Sequence, residues 1–143
     1  MDAMAALLVR DASAFDVVVT TNMFGDILSD LASEISGSLG LAASLNAGAA
    51  HALAQAQHGS APDIAGQDRA NPASLIGSAA MLLQWLGERR SEDRFVRAAA
   101  TIEDALDRAV ASPQWRTRDL GGPLGTKAFG ERVAALVGEV AQR

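Results

Sequence analysis

The sequence predicts an α/β fold, on two observations. Phe15-Asp16-Val17-Val18-Val19-Thr20 is a β-branched run of strand length, continuous enough in apolar character to be buried on both faces. A helical pattern through Met23, Phe24, Ile27, Leu28, Leu31 and Ile35 follows at once, and a strand running straight into a helix is one half of a βα unit.

Taken in order, the chain opens on a short amphipathic helix from Asp2 to Arg10, carried by Ala3, Met4, Leu7 and Leu8. After the strand, Thr21-Asn22 is the expected cap of the next helix, which Gly37 to Gly40 ends. Between Leu41 and Gln57 the periodicity is weak. Gly40, Asn46 and Gly48 suggest turns there, and Ala52-Leu53-Ala54 a short strand. Asn71-Pro72 starts a long helix through Leu75, Ile76, Ala79, Leu82, Leu83 and Leu86, with proline at the first helical position. Ser91, Asp93 and Arg94 open another, with Phe95, Ala99, Ile102, Leu106 and Val110 on one face and Pro113 closing it. Thr117 to Gly125 is a glycine-rich loop, and Lys127 to Val140 a final amphipathic helix. No internal repeat, low-complexity tract or linker divides the chain.

A length of 143 residues fits one modest domain or a piece of a larger one. The net charge of −5, with no basic cluster beyond Arg89-Arg90, argues against nucleic acid as a partner. No cysteine is present, which excludes disulfides, thiolate metal sites and cysteine nucleophiles. No apolar run is long enough to cross a bilayer, and Asp2 and Asp11 sit where a signal peptide would be basic. A soluble cytoplasmic protein without a membrane partner is expected. Tyrosine is absent and Lys127 is the only lysine, so a mechanism needing a Tyr acid or a further Lys must borrow it from another chain.

Two stretches carry candidate chemistry. In His58-Gly59-Ser60-Ala61-Pro62-Asp63-Ile64-Ala65-Gly66 the glycines permit tight turns and close backbone approach to a flat or phosphorylated ligand. His58 and Asp63 add a ring donor/acceptor and a carboxylate that suits ribose hydroxyls. The competing reading is a surface loop whose glycines only turn the chain. Asp26 and Asp30 are spaced i,i+4 on a helix, hence on one face with Cβ atoms about 6 Å apart. A divalent cation bound through oxygen, Mg²⁺ or Mn²⁺, relieves their repulsion. The alternative is a pair of solvated carboxylates near a helix N-terminus. Asp2 is a third acidic candidate. Arg118 and Asp119 are given no chemistry beyond ordering their glycine-rich loop.

These pieces, in register over nearly the whole chain, resemble the isocitrate/isopropylmalate dehydrogenase family. The resemblance lies in Asp2-Ala3-Met4-Ala5, in Phe15 through Asp30 with its Asn22-Met23-Phe24-Gly25-Asp26-Ile27-Leu28-Ser29-Asp30 core, and in Gly37-Ser38-Leu39-Gly40. It continues through His58 to Gly66, Ala70-Asn71-Pro72 and Thr117-Arg118-Asp119-Leu120-Gly121-Gly122. It implies the helix-rich C-terminal part of that fold, an incomplete sheet flanked by helices. Residues 1–36 would belong to the dimerisation and metal-binding lobe and residues 37–143 to the cofactor lobe, as one compact unit. It further implies Mg²⁺ or Mn²⁺ on Asp26, Asp30 and, across a dimer interface, Asp2. NAD would lie on His58, Gly59, Ser60, Ala61, Asp63, Ile64 and Asn71. Asp63 matches NAD-preferring members, whereas NADP-preferring ones often carry a basic or aromatic pair at 63–64.

The implied reaction is hydride transfer from C2 of a small 2-hydroxy acid to the nicotinamide, then β-decarboxylation. Ser60 leans toward an isopropylmalate- or tartrate-type substrate rather than isocitrate. Three departures stand out. The resemblance starts at Asp2, so the substrate-clamping arginines and the family's Tyr and Lys would lie upstream, leaving no catalytic residue in this chain. Gln55 stands where members commonly have Glu. The missing half also supplies part of the sheet under the cofactor loop. The chain is therefore expected to be inactive alone, and to pair as a homodimer or with an N-terminal half. A split-enzyme subunit and a non-catalytic NAD-binding or dimerisation module are the alternatives.

Overall fold

The computed structural model describes residues 1–141, so the last two residues of the second expected lobe lie outside it. Its helices are α1 (Asp2–Asp11), α2 (Asn22–Ser36), α3 (Ala73–Arg90), α4 (Asp93–Ala111) and α5 (Thr126–Ala141). A two-stranded antiparallel sheet, β1 (Ala43–Ala47) and β2 (Ala52–Ala56), pairs Ser44 with Gln55 and Leu45 with Ala54. The result is a helix-rich, partial α/β fold. None of the described helices is long and apolar enough to cross a membrane.

α3 is central, packed on the hairpin along one side and on α4 along another, while α5 closes against α4. The buried face of α3 is made of Ala73, Ser74, Gly77, Ser78, Ala80 and Gly87, whereas Leu75 and Met81 are exposed. Of the expected helical pattern, Leu75 and Ala79 are exposed, while Ile76 is partly buried against the core. Small residues let neighbouring backbones come close: a Cβ on Gly87 would sit 2.6 Å from Val96 Cγ2. Two fully buried serines stitch α3 to both strands. Ser78 Oγ donates to Gln55 O and accepts from Ser44 N–H, and Ser74 Oγ donates to Ala42 O and accepts from Gln57 N–H. The larger apolar side chains gather between α3, α4 and α5, where Phe129, Val133 and Leu136 pack with Ala73, Ala105 and Ala109.

The expected strand at 15–20 is not one. The segment is irregular and unpaired, with Val17 76% and Val19 92% exposed. Its β-branched composition is real, but a strand exists only where a neighbour completes its ladder, and no described element lies alongside. The βα unit is thus replaced, in the described residues, by an antiparallel hairpin within the 41–57 stretch where periodicity was weak. Two helix starts also differ by a residue. Pro72 precedes α3 instead of opening it, because Asn71 Oδ1 caps the Ala73 N–H at 2.9 Å. α5 begins at Thr126. Thr21 precedes α2 without a side-chain capping bond.

α1 and α2 pack on each other, each burying one leucine, Leu8 and Leu28, and α2 touches the turn at Leu39–Leu41. Met23, Phe24, Ile27 and Ile35 of α2 remain exposed.

Candidate functional site

Between the turn at 38–41 and the segment 58–71 lies a cleft of about 760 Å³, within the size range of small-molecule and cofactor pockets. It opens where β2 ends. The serine stitches hold Gln57 against α3, and the chain then leaves the sheet as a loop around a 3-10 turn at Pro62–Ile64. Ala61, before that turn, has a left-handed backbone with φ of 42°. A non-glycine residue there carries about 1–2 kcal/mol of strain, of the kind often stored beside a ligand site.

Of the residues expected to hold a nucleotide, His58, Gly59, Ser60, Ala61, Ile64 and Asn71 all line the cleft. Asp63 does not. It sits exposed on the 3-10 turn, where its carbonyl accepts from Gln67 Nε2. His58 Nδ1 lies 2.9 Å from Gly59 O, a carbonyl that can only accept, so the ring donates there when Nδ1 carries the proton. Asn71 is buried with both ends of its amide engaged: Oδ1 caps α3 and Nδ2 donates to Asp119 Oδ2 at 2.9 Å. These two bonds brace the cleft wall at Asn71. Gly40 permits that arrangement, since a Cβ there would come within 2.7 Å of the Asn71 Cβ.

Asp119 is the residue that sequence reasoning passed over. The 3-10 turn at Arg118–Leu120 brings its carboxylate into the cleft, where Ser38 Oγ donates to Oδ2 at 2.5 Å. Partial burial works against its ionisation. Hydrogen bonds outweigh that, those from Ser38 and Asn71 above all, so its carboxyl lies below the usual carboxylate range. The buried Thr117 hydroxyl has no complete hydrogen-bond geometry of its own, so Ser38 and Asn71 are the firm donors. The sequence signals available were its place in the Thr117–Gly122 stretch that carries the resemblance and in a glycine-rich loop it was expected to order, neither of which names Ser38 or Asn71 as its partners.

Asp26 and Asp30 are exposed and share a face of the continuous helix α2, with oxygen donors suited to Mg²⁺ or Mn²⁺. Asp2 is exposed at the start of α1, and among the described residues no three His, Cys, Asp or Glu side chains come together to hold a metal. One chain therefore offers a pair of carboxylates, not a complete site. The cleft and this pair are linked. Gln57, next to His58, donates through Nε2 to Asp30 Oδ1 at 3.2 Å and to the buried Ser33 Oγ at 3.2 Å.

The family profile described as isocitrate/isopropylmalate dehydrogenase matches residues 1–133. The chain belongs to that family. Within the isocitrate/isopropylmalate dehydrogenases it is similar to the 3-isopropylmalate/3-methylmalate dehydrogenase of Methanocaldococcus jannaschii, 45% identical over 139 residues that cover 97% of this chain and 39% of the relative. The isocitrate/homoisocitrate dehydrogenase of Thermus thermophilus is 50% identical over 133 residues, covering 93% and 37% of the two chains. Among solved family structures, the isocitrate dehydrogenase of Methylococcus capsulatus superposes with a TM-score of 0.80 at 40% identity, over 95% of this chain and 39% of that one. The chain thus spans about two fifths of the length of the family members it matches.

Proposed function

We propose that the chain is the C-terminal portion of a metal-dependent, NAD-linked oxidative decarboxylase of a small 2-hydroxy acid of the 3-isopropylmalate, tartrate or isocitrate type. The observation that supports this best is the bond from Gln57 to Asp30, which sets the carboxylate face of α2 beside His58 and the cleft. A nucleotide-sized cleft and hard oxygen donors are the two parts such a reaction needs next to each other. Asp26 and Asp30, joined by Asp2 from a second copy, would hold Mg²⁺ or Mn²⁺, which supplies Lewis-acid polarisation of the substrate oxygens and stabilisation of the enolate left by CO₂. The 58–66 backbone and His58 orient the adenosine end, and Asp63, on the exposed turn outside the cleft wall, would disfavour a 2′-phosphate only where the ribose reaches beyond the cleft rim.

The chain has no tyrosine and one lysine, in α5, so a tyrosine or a second lysine acting in proton transfer to and from substrate would come from outside these 143 residues. The purified chain with NAD⁺ and Mg²⁺ is expected to form no NADH from isopropylmalate, isocitrate or tartrate. Adding a separately expressed N-terminal half of a family member is expected to restore NADH formation, and Asp30→Asn to abolish it. Turnover by the chain alone would refute the proposed incompleteness. Complex formation without NADH would refute the split-enzyme reading.

The exposed α2 residues Met23, Phe24, Ile27 and Ile35 favour a second reading, a module that dimerises and binds NAD without catalysis. Sedimentation should then give a dimer that Ile27→Glu dissociates. A well-folded monomer would remove both this reading and the shared metal site.

A further inference from the structure

We propose that Asp68 is a positioning residue for the cleft loop: by fastening the 58–70 segment to the start of α5, it sets how tightly the cleft holds a dinucleotide. The inference rests on the dinucleotide reading above. From Gly59 to Gly66 the hydrogen bonds are local: Ile64 N–H to Ala61 O, Ala65 N–H to Pro62 O, and Gln67 Nε2 to Asp63 O. The loop is therefore held at its two ends, not along its length. At its near end Gln57 is tied to Ser74, Ser33 and Asp30.

At the far end the anchor is Asp68. Its Oδ1 accepts the Lys127 N–H at 2.8 Å and its carbonyl accepts the Thr126 N–H at 3.3 Å, while Thr126 Oγ1 donates to Ala70 O. A carboxylate at a helix N-terminus satisfies orphan donors and meets the positive end of the dipole. Making these contacts holds Asp68 at φ of 52°, a conformation that Asp tolerates better than most residues. The close approach also needs glycine at 125, where a Cβ would run into Asp68. Asp68, Arg69, Ala70 and Thr126 all line the cleft, so the fastening forms part of its wall.

The test uses the full chain as wild type, Asp68→Gly and Asp68→Asn. Glycine keeps the left-handed backbone and deletes the carboxylate, whereas asparagine keeps an oxygen for the Lys127 N–H. Amide hydrogen exchange of the 59–66 segment is measured together with NADH affinity by fluorescence titration. Asp68→Gly should accelerate exchange across 59–66 and weaken NADH binding about fivefold, the size of a lost N-cap, with Asp68→Asn close to wild type. Exchange that changes only at 126–130, with NADH affinity unaltered, would make Asp68 a helix cap alone and overturn the proposal. A wild-type chain that binds no NADH refutes the dinucleotide reading instead. The 59–66 exchange then still decides whether Asp68 fixes the loop.

Discussion

Replacing Asp119 by asparagine separates its charge from its shape. The carboxylate accepts from Ser38 Oγ at 2.5 Å and from the buried Asn71 Nδ2 at 2.9 Å. Bonds to a charged acceptor contribute about 1.5–3 kcal/mol each, roughly twice their neutral counterparts, and asparagine keeps the neutral half. Two such losses come to about 1.5–3 kcal/mol before screening. Asp119 is more than a third exposed, so solvent reduces the expected cost of Asp119→Asn to about 1–2 kcal/mol. The pH dependence has a definite sign. The folded carboxyl is held below its ordinary value, so the unfolded chain takes up a proton first as pH falls. The stability difference between wild type and variant should therefore be complete above the unfolded carboxyl value of about 4, and should close as pH drops through the folded one. Urea denaturation of both proteins between neutral and strongly acidic pH measures that difference. A gap that persists unchanged in acid, or is absent at neutral pH, would refute the argument that the charge holds Ser38 and Asn71 in place.

Other expectations concern the scaffold. Phe129 is fully buried, and Phe129→Ala should cost about 3–5 kcal/mol in chemical denaturation; a cost under 1 kcal/mol would mean the α5 contact is not part of the core. Ser78→Ala removes the acceptor of the Ser44 N–H and the donor to Gln55 O, an expected loss of about 1–3 kcal/mol accompanied by faster amide exchange at Ser44. If exchange there is unaltered, the serine does not hold the hairpin. Ala61→Gly relieves a left-handed alanine at some entropic cost, for a net gain of about 0.5 kcal/mol in thermal denaturation. A lower melting temperature would count against strain at that position.

The sequence by itself determined what is local. Helical periodicity placed α1, α2, α4 and α5 within about a residue or two of their ends. Glycine and proline punctuation located the 58–66 turn, and i,i+4 spacing put Asp26 and Asp30 on one face. The family was legible because its motifs are contiguous stretches of residues.

Tertiary structure decided what depends on partners distant along the chain. Valines at 17–19 carry strand propensity, but backbone groups pair only where another strand lies beside them, so the run is unpaired here. Asp119 joins the cleft because Ser38 and Asn71, 81 and 48 residues away in sequence, donate to it. Asn71 also braces the cleft wall, and Asp68 accepts from the first turn of a helix far along the chain. Hydrogen bonds of that kind satisfy donors left over by secondary structure, and which acceptor they find is fixed only once the elements have packed.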